Sequence, residues 1–304
     1  MTGSNEFSNR VSSMPHLPPT SPFGTSLARQ VARQNLTRFN NVFWVAERAR
    51  KYIRAGFSSI QFPPVTPGVH GVYNSALEWE SAADEFRDWT RQHVLISAAS
   101  LLEVYINSIT KTALHAKPEL LDRSLTGVDG YSFLLGKALP PEGWKKSVES
   151  AIESFTKGLW KHRFRQMEVV FGKLPEKLVA MEPELQKIQN KRNRIAHKFG
   201  SDKDRSVPWA EITHVVVGAK DCDKAIRTVS AFIAEADSNV FEPLVGAHEV
   251  LDVYHEWSLK EKNLSRYRVM GTRASKFCDH IGSFNGAAVG KAYAQAVIDY
   301  HDSL

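Results

Sequence analysis

Residues 95–109, LISAASLLEVYINSI, decide the fold class of this chain. Their large apolar side chains recur at steps of three and four residues, which is the period of one face of an α-helix. The surrounding residues 75–114 contain neither proline nor glycine, so nothing in this stretch interrupts a helix. We predict that this helix is the central core element of an all-α protein.

Helical periodicity predicts most of the remaining elements as well. The other predicted helices are residues 27–55, 143–170, 175–181, 183–200, 221–236, 241–259 and 287–302. A connector rich in proline and glycine, residues 61–71, follows the first helix, and residues 212–218, ITHVVVG, predict a short strand or a buried turn. Strand signals are scarce elsewhere, which again favours the all-α class.

The chain is predicted to have three parts. Residues 1–26 are rich in serine, proline, asparagine and glycine and show no periodicity, so we expect a disordered tail. A helical domain is expected at 27–240, followed by a C-terminal helical extension at 241–304 with a role in packing or dimerisation. Whether this extension is a separate unit is left open by the sequence.

Composition excludes several classes of function. The chain has 304 residues, of which 42% are hydrophobic, so it can bury a core without disulfides or a structural metal. Its two cysteines form no metal-binding or disulfide pattern, and there is no phosphate-binding or dinucleotide-binding glycine motif. No stretch approaches 18 consecutive apolar residues. We therefore expect a cytoplasmic protein with no cofactor, no metal and no membrane association.

Positive charge is concentrated in one part of the chain. The formal net charge is +6, whereas residues 157–205 alone hold 13 lysines and arginines against six acidic residues. Such a surplus suits a phosphate backbone, although solubility alone can account for a basic balance. Three aromatic residues alternate with three basic ones at 160–165, WKHRFR, and could stack on unpaired bases, but packing of a solvated helix is the favoured explanation.

The predicted helix 183–200 carries an arginine on its apolar side. On a helical wheel Arg192 falls in the same stripe as Ile188 and Ile195, with Asn193 and His197 four residues apart on its flank. A guanidinium on a buried face needs an anion. Two explanations remain open: an ion pair with Glu103 in the core, or a phosphate bound in a cleft.

The residue types in this stretch are those that metal-free phosphodiester cleavage requires. The guanidinium of Arg192 offers a planar fork of donors to phosphate oxygens, and the imidazole of His197 titrates near neutral pH and can move protons. Charge stabilisation and proton transfer are therefore available side by side. Similar Arg/His spacings occur elsewhere in the chain, but only this one combines an asparagine after the arginine with placement at a helix end.

The sequence Arg192-Asn193-Arg194-Ile195-Ala196-His197 resembles the signature of the HEPN ribonucleases, an arginine and a histidine separated by four to six residues. The resemblance implies a helical bundle, to which this chain adds N- and C-terminal helices. In the family, two protomers form a composite active site that cuts RNA without metal and leaves a 2′,3′-cyclic phosphate. The resemblance assigns Arg192 and His197 as the catalytic pair, with Asn193 in support. Residues 98–103, AASLLE, resemble the acidic helix of the RiboL-PSP-like branch, which adds Glu103 as a residue that orients Arg192. The resemblance covers about residues 75–237.

The resemblance further implies an endoribonuclease that acts as a toxin or phage-defence effector, is homodimeric and is restrained by an antitoxin or another regulatory partner. The basic residues expected to contact RNA are Lys161, Arg163, Arg165, Lys191, Arg194 and Lys198. The alternative is a non-catalytic helical module of the same type that binds nucleic acid or a protein partner.

Overall fold

The computed structural model describes residues 15–56, 76–198, 215–260, 270–283 and 288–304. The side chains of residues 50, 53–56, 76, 197, 198, 270 and 271 fall outside this description. Within the described ranges the chain is all-α and contains no strand, which confirms the predicted fold class.

The helices occur in the following order along the described ranges. They are α1 (Leu27–Gly56), α2 (Ala76–Ala116), α3 (Tyr131–Leu134), α4 (Trp144–Thr156), α5 (Trp160–Phe171), α6 (Glu176–Val179), α7 (Glu182–Lys198), α8 (Ala219–Ala236), α9 (Glu242–Val245), α10 (His248–Lys260), α11 (Met270–Gly282) and α12 (Lys291–Ser303). Two 3₁₀ turns, Pro118–Leu120 and Arg123–Leu125, follow α2, and a π-helical turn, Asp237–Phe241, follows α8.

Two predicted helices are each divided at a glycine. The predicted helix 143–170 is two helices, α4 and α5, with Gly158 between them at φ +82°. The predicted helix 241–259 is divided between α9 and α10 at Gly246, where φ is +48°. Glycine adopts such backbone angles without steric cost, so the chain can turn at both positions. Of the predicted strand or turn at 212–218, the described residues 215–218 have no regular secondary structure.

The prediction of a disordered tail is wrong for residues 15–26. Leu17 and Phe23 pack against a buried apolar cluster built mainly from α10, α11 and α12, and Ser26 is fully buried. The backbone at Pro19 also lies close to Gly246. These contacts join segments more than 200 residues apart, so no periodicity within residues 15–26 could have indicated them. Residues 1–14 lie outside the described part of the chain.

The chain divides into two compact units that are not contiguous in sequence. One unit comprises Met1–Leu27, Ile109–Val148 and Phe241–Leu304, and the other comprises Ala28–Ser108 and Glu149–Val240. The predicted boundary near residue 240 coincides with a division between the units. However, residues 109–148 belong with the C-terminal part and not with the predicted 27–240 domain. The long helix α2 contributes residues to both units.

Apolar packing in the unit formed by 28–108 and 149–240 holds together the helices that carry the candidate site. Ala99 of α2, Ile188 of α7 and Ala225 of α8 form one buried cluster. The rings of Trp160 on α5 and Phe232 on α8 lie 5.4 Å apart, and Phe164 stacks on Phe232. Each large side chain buried in this way stabilises the fold by roughly 1.5–3 kcal/mol, which anchors α5 and α7 beside α2.

Among the described helices, α2 is long and apolar enough between Leu77 and Ala116 to meet the length and composition criteria for a membrane-crossing helix. Half of the relevant segment is buried inside the protein, and the core helix of a soluble protein meets the same criteria.

Candidate functional site

Helix α7 places Arg192 on its inward-facing stripe, as the helical wheel predicts. Leu185, Ile188 and Ile195 are buried on this stripe, and the Arg192 side chain is 28% exposed. Ala196, which the wheel also places near the stripe, is exposed. The guanidinium is therefore neither sequestered in the core nor free in solvent, but lies at the edge of the packed face.

This edge opens into a cleft of about 670 Å³. Helix α2 contributes Ser100, Glu103 and Asn107, helix α5 contributes Arg163, and α7 contributes Gln189, Arg192 and Asn193. Thr156, Lys157 and Gly158, at the end of α4 and in the turn before α5, complete one side. Most of these side chains are polar, and none is aromatic, so the lining is suited to a hydrated or charged ligand.

Glu103 lies between two guanidinium groups in the cleft. Its Oε2 is 3.7 Å from Nη2 of Arg192, and its Oε1 is 3.8 Å from Nη2 of Arg163. Both separations are longer than a hydrogen bond, so these are ion pairs without direct hydrogen bonding. Two positive groups share one negative group, which leaves this cluster with a net positive charge.

Arg163 is almost completely buried, with 2% of its side chain exposed, and two contacts hold its guanidinium in place. Its Nε donates to the carbonyl oxygen of Gly158 at 3.1 Å, and its Cζ lies 4.8 Å from the centre of the Trp160 ring. Burial lowers the pKa of the Arg163 guanidinium, while Glu103 opposes that shift and Arg192 adds to it. Burial is the largest of these three effects on the pKa of Arg163.

Arg192 retains a donor that its surroundings do not satisfy. Its Nη1 donates to Oδ1 of Asn193 at 3.1 Å. Its Nε is buried and has no hydrogen-bond partner among the described residues. Buried polar groups in proteins are nearly always hydrogen-bonded, so this donor calls for an acceptor.

His197 and Lys198 belong to the last turn of α7, which ends at Lys198. Their side chains fall outside the described part of the chain. The structure therefore brings together three of the four predicted catalytic residues, Glu103, Arg192 and Asn193. The fourth, His197, is predicted to lie beside them, and its side chain is not among those that the structure describes.

The residues predicted to contact RNA fall into different environments. Lys161 and Arg165 on α5 and Arg194 on α7 are exposed. Lys191 is partly buried, and its Nζ pairs with Oδ2 of Asp221 at 2.8 Å.

Arg163, which is predicted to contact RNA, is almost completely buried, although it lines the cleft. In a helix the side chains of Trp160, Arg163, Phe164 and Met167 share one face, and all four are buried. The apparent alternation of aromatic and basic residues in 160–165 is therefore not an exposed stacking surface. The packing explanation for Trp160 and Phe164 is confirmed by their contacts with Phe232.

Two further residues of the cleft were not predicted. The carbonyl oxygen of Gly158 accepts hydrogen bonds from Nε of Arg163 and from Nε2 of Gln189, at 3.1 and 2.9 Å. Gly158 thereby ties α5 to α7 beneath the cleft. A glycine inside an otherwise helical pattern indicates a turn, so the positive φ of Gly158 could have been predicted. The role of Gln189 could not, because its hydrogen-bond partner lies 31 residues away in the sequence.

In the part of the chain that the structure describes, no three histidine, cysteine or acidic side chains come together in a way that could hold a metal ion. Comparisons with protein-family models, curated proteins and solved structures found no significant match. The fold and the site thus define an all-α protein with an arginine-lined polar cleft. Membership of the HEPN family stays a prediction from the motif.

Proposed function

We propose that this protein is a metal-independent endoribonuclease that cleaves RNA by 2′-OH transesterification. The observation that carries the proposal is the charged cluster in the polar cleft, where Arg192 and Arg163 share the single carboxylate of Glu103 and leave surplus positive charge. A phosphodiester supplies both a negative charge and oxygen acceptors, and guanidinium groups bind phosphate oxygens with matched geometry.

The proposed reaction uses only groups of this chain. The 2′-oxygen of a ribose attacks the adjacent phosphorus as its proton passes to a base, and the bond from phosphorus to the 5′-oxygen breaks as that oxygen receives a proton. The products are a 2′,3′-cyclic phosphate and a 5′-hydroxyl. Arg192 stabilises the charge that develops on the phosphoryl oxygens, Asn193 holds Arg192 through Oδ1, and Glu103 orients it from α2. His197 moves the protons.

The wider setting of the proposal comes from the motif. By resemblance we propose a homodimer that acts as a toxin or phage-defence effector and is restrained by an antitoxin or regulatory partner. Exposed Lys161, Arg165 and Arg194 are suited to contact the RNA backbone outside the cleft.

The ion pair between Arg192 and Glu103 favours a second function. If this pair exists only to neutralise Arg192, the protein is a non-catalytic helical module that binds nucleic acid or a protein partner. The two functions differ in one measurable respect, because only the first requires chemistry on RNA.

The test is incubation of the purified protein with total RNA in the presence of EDTA, followed by analysis of the product ends. We expect fragments with 2′,3′-cyclic phosphate and 5′-hydroxyl ends from the wild type, formed more slowly by a factor of about 10² or more in Arg192→Ala and His197→Ala. A matched control is Arg227→Ala, which removes an arginine of α8 that is 74% exposed and lies away from the cleft. Equal cleavage by the wild type and His197→Ala would refute the proposal.

The pH dependence gives a second check on His197. A histidine that exchanges protons during the reaction makes the cleavage rate vary between about pH 5 and 8. A rate that is constant over this range would contradict the role assigned to His197. The role of Arg192 is tested separately by Arg192→Ala.

A further inference from the structure

We propose that Arg163 is a positioning residue: by sharing the charge of Glu103, it keeps Arg192 available to the substrate phosphate. This inference takes its substrate, a phosphodiester, from the proposed function. It is carried by the geometry of Arg163, Glu103 and Arg192.

The carboxylate of Glu103 does not form the pair that an isolated glutamate and arginine prefer. Such a pair is commonly bidentate, with two hydrogen bonds of about 2.7–2.9 Å to one guanidinium. Here each oxygen faces a different arginine, at 3.7 and 3.8 Å. Glu103 is thus divided between Arg163 and Arg192 and fully engages neither.

Arg163 keeps its place beside Glu103 because its own contacts fix its side chain. It is buried, its Nε is bound to the Gly158 carbonyl, and its guanidinium lies over the Trp160 ring. A buried guanidinium must retain an anion nearby, so Arg163 competes with Arg192 for the carboxylate of Glu103. The opposing effects of Glu103 and Arg192 on the pKa of Arg163 are consistent with this coupling.

The consequence concerns the charge that a phosphate meets. The three groups together carry +1, and an anion that approaches Arg192 leaves Glu103 with a partner in Arg163. Without the charge of Arg163 the cluster would be neutral, and Glu103 would be free to close on Arg192. A phosphate would then have to displace a carboxylate and leave it unpaired, which costs binding free energy.

Charge changes at Arg163 and Glu103 therefore predict an order of affinity. Arg163→Met makes the cluster neutral, Glu103→Gln raises its charge to +2, and the double variant returns it to +1. We expect phosphate-containing ligands to bind most tightly to Glu103→Gln, to bind the wild type and the double variant similarly, and to bind Arg163→Met most weakly.

The experiment measures binding of a fluorescein-labelled 2′-O-methyl oligouridylate by anisotropy. Its 2′-oxygens are methylated, so they cannot attack phosphorus and the probe is not consumed. We expect Arg163→Met to weaken binding by about tenfold, as for the loss of one charge-assisted hydrogen bond. Adding Glu103→Gln to Arg163→Met is expected to restore the affinity, whereas Arg227→Ala is expected to have no effect.

A purely structural role for Arg163 predicts a different result. Loss of its contacts with Gly158 and Trp160 would then weaken binding, and removing the charge of Glu103 would not restore it. Failure of the double variant to recover affinity therefore overturns the proposal. If Arg163→Met does not fold, Glu103→Gln still tests the idea, because weaker or unchanged probe binding by that variant contradicts the predicted order.

Cleavage assays keep this inference separate from the proposed function. If the wild type binds the probe, the variants follow the predicted order and no RNA is cut, then the ribonuclease function fails and the role of Arg163 stands. If the wild type cuts RNA but the affinity order is absent, the role of Arg163 fails alone. If the wild type does not bind the probe at all, the role of Arg163 is refuted.

Discussion

Replacing Arg192 with alanine distinguishes a catalytic arginine from one that serves only in an ion pair with Glu103. In the folded protein, the side chains of Arg192 and Glu103 are 28% and 32% exposed, and their closest charged atoms are 3.7 Å apart. A partly exposed pair of this kind contributes at most about 1 kcal/mol. The hydrogen bond to Asn193 adds about 1 kcal/mol. After the substitution Glu103 keeps Arg163 as a partner, so no carboxylate is left unpaired.

We therefore expect Arg192→Ala to lower the free energy of unfolding by about 1–2 kcal/mol, close to the sum of these two small contributions. Loss of one donor to a developing oxyanion lowers kcat by about 10²–10³. Urea unfolding followed by circular dichroism measures the first quantity, and single-turnover cleavage of RNA measures the second. The activity loss should thus greatly exceed any loss through unfolding.

Arg227→Ala on α8 is the matched control, since Arg227 pairs with Asp223 on an exposed surface and its removal changes the net charge equally. A loss of unfolding free energy of about 3–5 kcal/mol in Arg192→Ala would match the breaking of a fully buried ion pair. That result, or cleavage within a factor of about ten of the wild type, would refute the catalytic interpretation.

Other predictions concern both compact units. Burial raises the pKa of Asp129, but hydrogen bonds from His248 and a tyrosine hydroxyl outweigh it and hold this pKa below 3.8. The carboxylate therefore stabilises the fold fully above pH 3.8 and loses this effect as the pH falls through its lower folded pKa, so Asp129→Asn should flatten the acid limb of unfolding free energy against pH. Burial raises the pKa of the Cys222 thiol to about 12, so a thiol reagent at neutral pH should react with it only after urea unfolds the protein. A Cβ at Gly246 would lie 2.7 Å from the Pro19 carbonyl oxygen at a φ of +48°, so Gly246→Ala should lower the melting temperature, with a cost of about 1–3 kcal/mol in unfolding free energy. A melting curve equal to that of the wild type would contradict the packing of residues 15–26.

Part of the candidate site was predictable because it depends on local periodicity. The inward stripe of α7 contains Arg192 for the same reason that it contains Ile188 and Ile195, since all three recur at helical spacing. The same reasoning applied to α5 would have placed Arg163 inside, together with Trp160 and Phe164. The alternation of aromatic and basic residues in 160–165 has a period of two and therefore does not indicate which side chains share the buried face of the helix.

The amino-acid sequence by itself determined the all-α class, the approximate limits of most of the longer helices but not of α11, and the arginine in the apolar stripe of α7. These features follow from side-chain spacing within a single helix, which neighbouring residues specify. Only the tertiary structure decided that residues 109–148 pack with the C-terminal part, that Leu17 and Phe23 pack against the C-terminal helices, and that Glu103 is shared by Arg163 and Arg192. Glu103 is separated by 60 residues or nearly 90 residues from these two arginines. Their charges meet because helix packing brings α2, α5 and α7 together, and periodicity along one helix carries no information about which charged groups face each other across that packing.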